Sequence, residues 1–170
     1  MKKIVHFSKT PCAGSAIRLV QALRKFTDDQ IHLIDLNRWG VYDHDIVMDE
    51  SPEKAIAIAE SADIIHFHNY LHYDSKEFSP IDFRKLKNKG TAFIRQLRGN
   101  PTTLSLVSGL NYKEFMQLEM PSIVIAQHPE RWYPFARVVP NIIPQDEQLY
   151  LPNASKTSNG IFFSHTFKNS

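Results

Sequence analysis

Short apolar runs alternate with segments of helical periodicity along most of the chain. Apolar residues recur at Ala16, Leu19, Val20, Leu23 and Phe26, which is the spacing of one helical face, with Ser15 as the expected N-cap. The sequence Ser51-Pro52-Glu53 predicts the start of a second helix, which runs to about residue 62. Further helical stretches are predicted at 80–88 and 103–118. The runs predicted to be strands are Lys3–Phe7, Ile31–Leu36, Asp63–His68, Thr91–Leu97 and Ser122–Ala126.

This alternation of strands and helices implies an α/β fold, a Rossmann-like open parallel sheet with helices on both faces. The chain turns polar and irregular after Leu149, and Ile161-Phe162-Phe163 is typical of one more strand. We therefore expect one domain over 1–148, a linker over 149–160, and the start of a truncated second domain over 161–170.

The composition excludes several further classes of protein. Of the 170 residues, 42% are hydrophobic and 22% charged, which is typical of a globular chain with a soluble surface. A single cysteine, Cys12, excludes an intrachain disulfide framework and a multi-cysteine zinc site, and it is expected to be a small packing residue. No run approaches the roughly 20 apolar residues that span a bilayer, so the expected location is cytoplasmic.

The charge of the chain is less informative about function than its composition. A formal net charge of +2 is too small to indicate nucleic acid, and no nucleic-acid partner is expected. Arg84, Lys85, Lys87 and Lys89 form one local basic cluster, which we interpret first as a solvated face. The alternative is peripheral contact with anionic lipid at the inner face of the membrane.

Several predicted strands end in hydrogen-bonding or charged residues. Ser8-Lys9, Asn37-Arg38, His68-Asn69, Arg98-Gly99 and Gln127-His128 each follow one of the five runs. In an open parallel sheet, ligands bind outside the carboxyl ends of the strands near the topological switch point. These residues are therefore predicted to line one crevice, although strand ends that simply meet water would also be polar.

Two histidines stand two apart on the third predicted strand, so their side chains leave the same face. His66, deeper in the strand, is interpreted as a hydrogen-bonded core residue. His68, at the strand end, can orient or deprotonate a substrate hydroxyl near neutral pH. The spacing of His66, His68 and His72, with Asp74 nearby, also allows metal ligation.

The loop between the first strand and the first helix has a single glycine and no G-x-G-x-x-G pattern, which disfavours a dinucleotide cofactor. Gly14 directly before a helix permits close backbone approach, and free N–H groups at a helix N-terminus suit a phosphate or a carboxylate. A tight turn that needs glycine is the alternative explanation.

In order along the chain, these motifs resemble the N-terminal, acceptor-side domain of GT-B glycosyltransferases of group 1, or family 4. Lys3-Ile4-Val5-His6-Phe7-Ser8 with Pro11-Cys12-Ala13-Gly14-Ser15 resembles the first strand and glycine loop of that family. Asp63-Ile64-Ile65-His66-Phe67-His68 resembles its Asp-apolar-apolar-His-x-His strand. Ala136–Pro144 resembles the Val-Pro-Asn segment before the second domain, and Ile161–His165 resembles that domain's first strand.

The resemblance implies sugar transfer from a nucleotide-sugar donor to an acceptor hydroxyl, in glycan or glycolipid synthesis. The donor is a co-substrate, so neither a cofactor nor a metal is implied. The expected partners are a sugar or glycolipid acceptor and the missing C-terminal donor-binding domain, without which the chain is expected to be inactive. The implied site has His68 as its catalytic residue, and its substrate-binding residues are Gly14, Ser15, Asn69, Arg98 and His128.

Two other functions remain open from the sequence. A metal-dependent hydrolase would use His66, His68 and His72. A non-catalytic glycan-binding module would use the same crevice without chemistry.

Overall fold

A computed structural model describes residues 1–9, 14–40, 42–117, 119–125, 129–140 and 142. Its strands are β1 (Lys3–Ser8), β2 (Gln30–Asp35), β3 (Ile46–Val47), β4 (Ile64–His68), β5 (Ala92–Leu97), β6 (Ser122–Ile125) and β7 (Arg137–Val139). Its helices are α1 (Ser15–Phe26), α2 (Pro52–Glu60), α3 (Phe83–Asn88), α4 (Pro101–Ser108) and α5 (Tyr112–Met116), with a 3₁₀ turn at Pro129–Trp132. No helix within these residues has the length and apolarity needed to cross a bilayer.

All seven strands pair in parallel in the order β3-β2-β1-β4-β5-β6-β7. The chain builds β1, β2 and β3 outward in one direction, then returns to place β4 on the other side of β1. The predicted Rossmann-like α/β fold is therefore confirmed.

Each of the five predicted strands is present, but the helical predictions need two corrections. The stretch 103–118 forms two helices, because Gly109 adopts a left-handed φ of 73° at the end of α4 and Asn111 caps α5. Ser15 is not the N-cap of α1; that position belongs to Gly14, with Ser15 inside the helix. Strands β3 and β7 were not predicted, because two and three residues are too few to show periodicity.

The main core lies on one face of the sheet. Alternate residues of the central strands, Val5 and Phe7 in β1 and Ile65 and Phe67 in β4, point into it and are fully buried. Helices α2 to α5 pack on this face and contribute core residues such as Phe83 and Phe115. The crossovers from β3 to β6 run in one direction across the sheet, and right-handed connections put all their helices on the same side.

The opposite face is covered by α1, which runs between β1 and β2. Its buried residues Ala16, Ile17 and Val20 pack against Ile31 and Leu33 of β2 in a small second core. Because the later helices lie on the other side, α1 is the helix that covers this face in the part of the chain described. The residues of β1 and β4 that point to this face include His6, His66 and His68.

Gly14 determines the backbone conformation at the start of α1. Its φ is 72°, and a Cβ atom placed there would lie 3.0 Å from Cδ1 of Tyr42 and 3.1 Å from a guanidinium nitrogen of Arg18. Glycine at this position is therefore required both by the left-handed backbone and by the packing of the Tyr42 ring.

We expect Gly14→Ala to lower the free energy of unfolding by about 1–3 kcal/mol, from left-handed strain together with overlap with Tyr42. Urea denaturation monitored by circular dichroism measures the change. Gly40→Ala is the matched control, because Gly40 has an ordinary φ and open space around its Cα. Equal stability of the two variants would contradict this account of Gly14.

Candidate functional site

The carboxyl ends of β1, β4 and β5 meet the start of α1 at the switch point of the sheet. The backbone N–H of Asn69, the residue after β4, donates to the carbonyl of Gln96 in β5 at 2.8 Å. Asn69 has a φ of 61°, a left-handed conformation that asparagine tolerates better than most residues. Asn69 thus lies at the carboxyl end of β4, with its side chain half-buried.

Arg98 connects β5 with the head of α1. Its Nη2 donates to Oε1 of Gln96 at 3.0 Å and to the main-chain carbonyl of Ser15 at 3.5 Å. The guanidinium group is half-buried at the N-terminus of α1, where the helix dipole is also positive. The positive charge of Arg98 and the positive end of the α1 dipole therefore lie close together, near Ser15. Their combined potential favours the binding of an anionic ligand.

Three buried histidines form a cluster behind Arg98. His6 of β1 and His66 of β4 are register partners, and His68 follows His66 on the same face. The ring centroids are 4.4 Å apart for His6 and His66, and 4.8 Å apart for His66 and His68. Nδ1 of His6 lies 3.2 Å from Nε2 of His68, a hydrogen bond in which one imidazole donates and the other accepts.

All three imidazoles are held neutral. Burial lowers the pKa of His66 to about 3, with the positive charge of Arg98 adding to the effect. Burial also places the pKa of His6 and that of His68 well below the ordinary value of 6.5, with His66 and Arg98 as further causes. The cluster therefore presents lone pairs and N–H groups at neutral pH rather than positive charge.

A cavity of about 290 Å³ opens beside the cluster on the α1 face of the sheet. Its polar end is formed by His66, Gln96 and Arg98, and its walls include Ser15 and Arg18 of α1. The remaining lining residues are apolar: Leu19, Leu23, Ile94, Ile123, Val139, Pro140 and Ile142. A cavity that is mostly apolar with a few convergent polar groups is the common form of a small-molecule site.

Some predicted crevice residues lie elsewhere. Arg38 pairs with Glu50 in an exposed ion pair, with a shortest distance of 2.6 Å, and Asn37 is also exposed. Lys9, by contrast, is at the carboxyl end of β1, with its Nζ 5.6 Å from the ring centroid of Tyr70 and 3.9 Å from Glu77. His128 and Cys12 fall outside the described residues, as do 149–160 and 161–170, so the predictions for them stay predictions.

Two of the four residues in the basic cluster make local side-chain contacts. Arg84 forms an ion pair with Asp74, and Nζ of Lys87 lies 4.1 Å from the ring centroid of Tyr73. Both contacts are on the surface and agree with the solvated-face interpretation, since exposed ion pairs of this kind are common on soluble domains.

His6 and Gln96 are not predicted as site residues from the sequence. His6 lies in an apolar run with no motif of its own, and it joins the other histidines because β1 and β4 are neighbours in the sheet. Among the residues that the structure describes, His6, His66 and His68 have ligand atoms within 4.8 Å of one another, close enough to share a metal ion. His72, the third ligand expected from spacing, instead has its Nδ1 3.2 Å from the backbone nitrogen of Asp74.

No protein-family model matches this chain, and no curated protein is significantly similar to it. Among solved structures, it is similar to an alpha-glucosyltransferase in complex with UDP and a 13-mer DNA containing an HMU base, with a TM-score of 0.46 and 13% identity over 84% of this chain. It is also similar to alpha-glucosyltransferase in complex with UDP, with a TM-score of 0.45 and 12% identity over 79% of this chain.

A third structure, alpha-glucosyltransferase in complex with UDP-glucose and DNA containing an abasic site, has a TM-score of 0.46 and 10% identity over 79% of this chain. The chain spans 42%, 39% and 41% of the length of the three structures, in the order given.

The partner prediction is corrected at this point. Two of the three similar structures contain DNA, which contradicts both the exclusion of nucleic acid and the expectation of a sugar or glycolipid acceptor. A net charge of +2 does not exclude nucleic acid, because the local field around a binding surface, and not the net charge of a chain, attracts phosphates.

We expect the metal-free protein, kept in EDTA, to lose stability as the pH falls below about 6.5. The unfolded chain takes up protons on its histidines in this range, whereas the folded cluster does not. Each buried imidazole therefore lowers the free energy of unfolding by about 1.4 kcal/mol for each pH unit below 6.5. For His66 this loss continues down to its folded pKa of about 3. Urea denaturation at a series of pH values measures it.

In His66→Gln the free energy of unfolding should fall less steeply with decreasing pH than in the unchanged protein, because one of the three histidines with lowered pKa is absent. Ile65→Val, one position away on the opposite face, is the control: it lowers stability at every pH and keeps the slope of the unchanged protein. An identical slope in His66→Gln would refute the assignment of neutral buried histidines.

Proposed function

We propose that this chain forms the acceptor-side wall of the cleft in a nucleotide-sugar-dependent glycosyltransferase. The observation that carries the proposal is the convergence of Arg98, Asn69 and the N-terminus of α1 at the switch point of a parallel sheet. Such a point is where open α/β sheets bind their ligands. The order of motifs in the sequence, which resembles that of GT-B glycosyltransferases, supports the same assignment.

In this proposal the positive end of the crevice receives the negative charge of the donor. Arg98 and the N–H groups at the start of α1 face the diphosphate of the nucleotide sugar, whose charge grows as the bond to the sugar breaks. Fixed donors that need no reorganisation stabilise such developing charge most effectively. Gly14 is buried against Tyr42 and Arg18, so in this proposal it shapes the turn before α1 and does not itself face the phosphate oxygens.

His68 is proposed to contact the transferred sugar or the acceptor hydroxyl. The residue is 2% exposed, and its Nε2 is occupied by the contact with His6. Its Nδ1 is buried, has no hydrogen-bond partner within the described residues and is next to His66, which lines the cavity. Contact between this nitrogen and a substrate hydroxyl therefore requires the His68 side chain to become exposed when substrate binds. Because burial holds the pKa of His68 well below its ordinary value, Nδ1 would orient that hydroxyl rather than deprotonate it. It can accept a hydrogen bond from the hydroxyl or donate one to its oxygen, according to the tautomer.

Saturation-transfer NMR of the 170-residue chain with UDP-glucose and with UDP tests the proposal. We expect stronger saturation of the glucose protons than of the uracil protons, because this wall faces the sugar and the diphosphate. Arg98→Met should weaken UDP-glucose binding about tenfold or more, the effect of losing a hydrogen bond to a charged group.

Arg84→Met is the matched control, since it removes an arginine of the same size from an exposed ion pair with Asp74. It should leave UDP-glucose binding unchanged. Saturation centred on the uracil ring, or equal binding by both arginine variants, would contradict the proposed role of this crevice.

A further inference from the structure

The proposed transferase uses one nitrogen of the three-histidine cluster, Nδ1 of His68, and the cluster has further coordination capacity. We propose that His6, His66 and His68 form a binding site for a transition-metal ion, with Zn²⁺ as the ion that these ligands fit. The inference is independent of the proposed transferase function, because it rests on the geometry of the three imidazoles alone.

The first support is distance. In a tetrahedral zinc site with Zn–N bonds of about 2.0–2.1 Å, two ligating nitrogens lie roughly 3.3 Å apart. Nδ1 of His6 and Nε2 of His68 are 3.2 Å apart, so this pair already has the separation of two ligands on one ion. A ligand atom of His66 completes a set whose members all lie within 4.8 Å of one another, within reach of side-chain rotation.

The second support is the unmet hydrogen-bonding capacity of the cluster. Within the described residues, Nε2 of His6, Nε2 of His66 and Nδ1 of His68 are buried and have no hydrogen-bond partner. A buried polar atom without a partner costs about 1–3 kcal/mol, and native structures rarely leave three together. Coordination through Nδ1 of His6 and Nε2 of His68 replaces the hydrogen bond between these two atoms, and His66 can add its unpartnered Nε2 as the third ligand. The other nitrogen of each neutral ring then carries the proton.

The choice of metal follows from the ligand type. Neutral imidazoles suit zinc, cobalt, nickel and copper, whereas calcium and magnesium require oxygen ligands. The three side chains supply three ligands, so a fourth position remains, and His66 places it at the polar end of the 290 Å³ cavity. Arg98 lines the same end of the cavity, and its positive charge repels a metal ion without an anionic ligand. An anion or hydroxide in the fourth position, paired with Arg98, is therefore favoured.

The test is metal uptake by the full 170-residue chain after treatment with EDTA. Isothermal titration with ZnCl₂ should show one equivalent of bound zinc, and Co²⁺ should give the strong visible absorption of a four-coordinate site. MgCl₂ should give no heat of binding. Because these titrations use the unchanged protein, the result does not depend on whether any variant folds.

His6→Gln and His66→Gln should each weaken zinc binding at least tenfold. His72→Gln is the matched control: it removes a histidine close in sequence that lies outside the cluster, and it should bind zinc as the unchanged chain does. Far-UV circular dichroism checks that each variant is folded.

Absence of stoichiometric zinc uptake by the unchanged chain would overturn the inference. Equal loss in His72→Gln would also overturn it, because that result would place the ion on the sequence-spaced set of His66, His68 and His72. The UDP-glucose experiment is run in EDTA, so failure of either proposal is seen separately from the other.

Discussion

The parallel pairing of β1 with β4 is the contact on which the rest of this structure depends. β4 is added beside β1 after the chain has built β2 and β3 on the other side, so the sheet has its switch point between these two strands. The in-register pairing sets His6 opposite His66, and Val5 and Phe7 opposite Ile65 and Phe67. One ladder of hydrogen bonds thus aligns the aromatic core on one face and the histidine cluster on the other.

The unequal distribution of helices on the two faces follows from the same change of direction. The connections to β4, β5 and β6 put α2 to α5 on the aromatic face, where they bury most of the apolar surface. On the histidine face α1 packs over β1 and β2. The part of that face formed by β5 and β6 borders a cavity, and the polar groups of His66, Gln96 and Arg98 gather at one end of it.

The site combines two kinds of electrostatic environment within a short distance. Arg98 and the head of α1 supply positive potential, whereas the adjacent imidazoles are neutral because burial and Arg98 oppose their protonation. A ligand with an anionic part and a hydroxyl-bearing or metal-coordinating part matches both environments. Positive potential and neutral imidazole nitrogens therefore lie next to each other at the switch point of the sheet.

The sequence by itself determined the α/β class, the five longer strands and the residues that end them, because hydrophobic periodicity is a local property that burial imposes on each element. Local signals also placed Pro52 at the start of α2 and showed that His66 and His68 share a face. Gly14 and Ser15 are both possible N-cap residues of α1. Gly14 takes that position because the backbone there has a φ of 72° and Tyr42 packs against it.

Only the tertiary structure decided that His6 belongs with His66 and His68 and that His72 does not. Residues 6 and 66 are brought together by strand order, which depends on the helices that connect the strands and on the handedness of those connections. The same holds for Arg98 and Ser15, whose contact joins residues 83 positions apart. Periodicity describes which way a side chain points from its own strand, but the neighbour that it meets is set by the packing of the whole sheet.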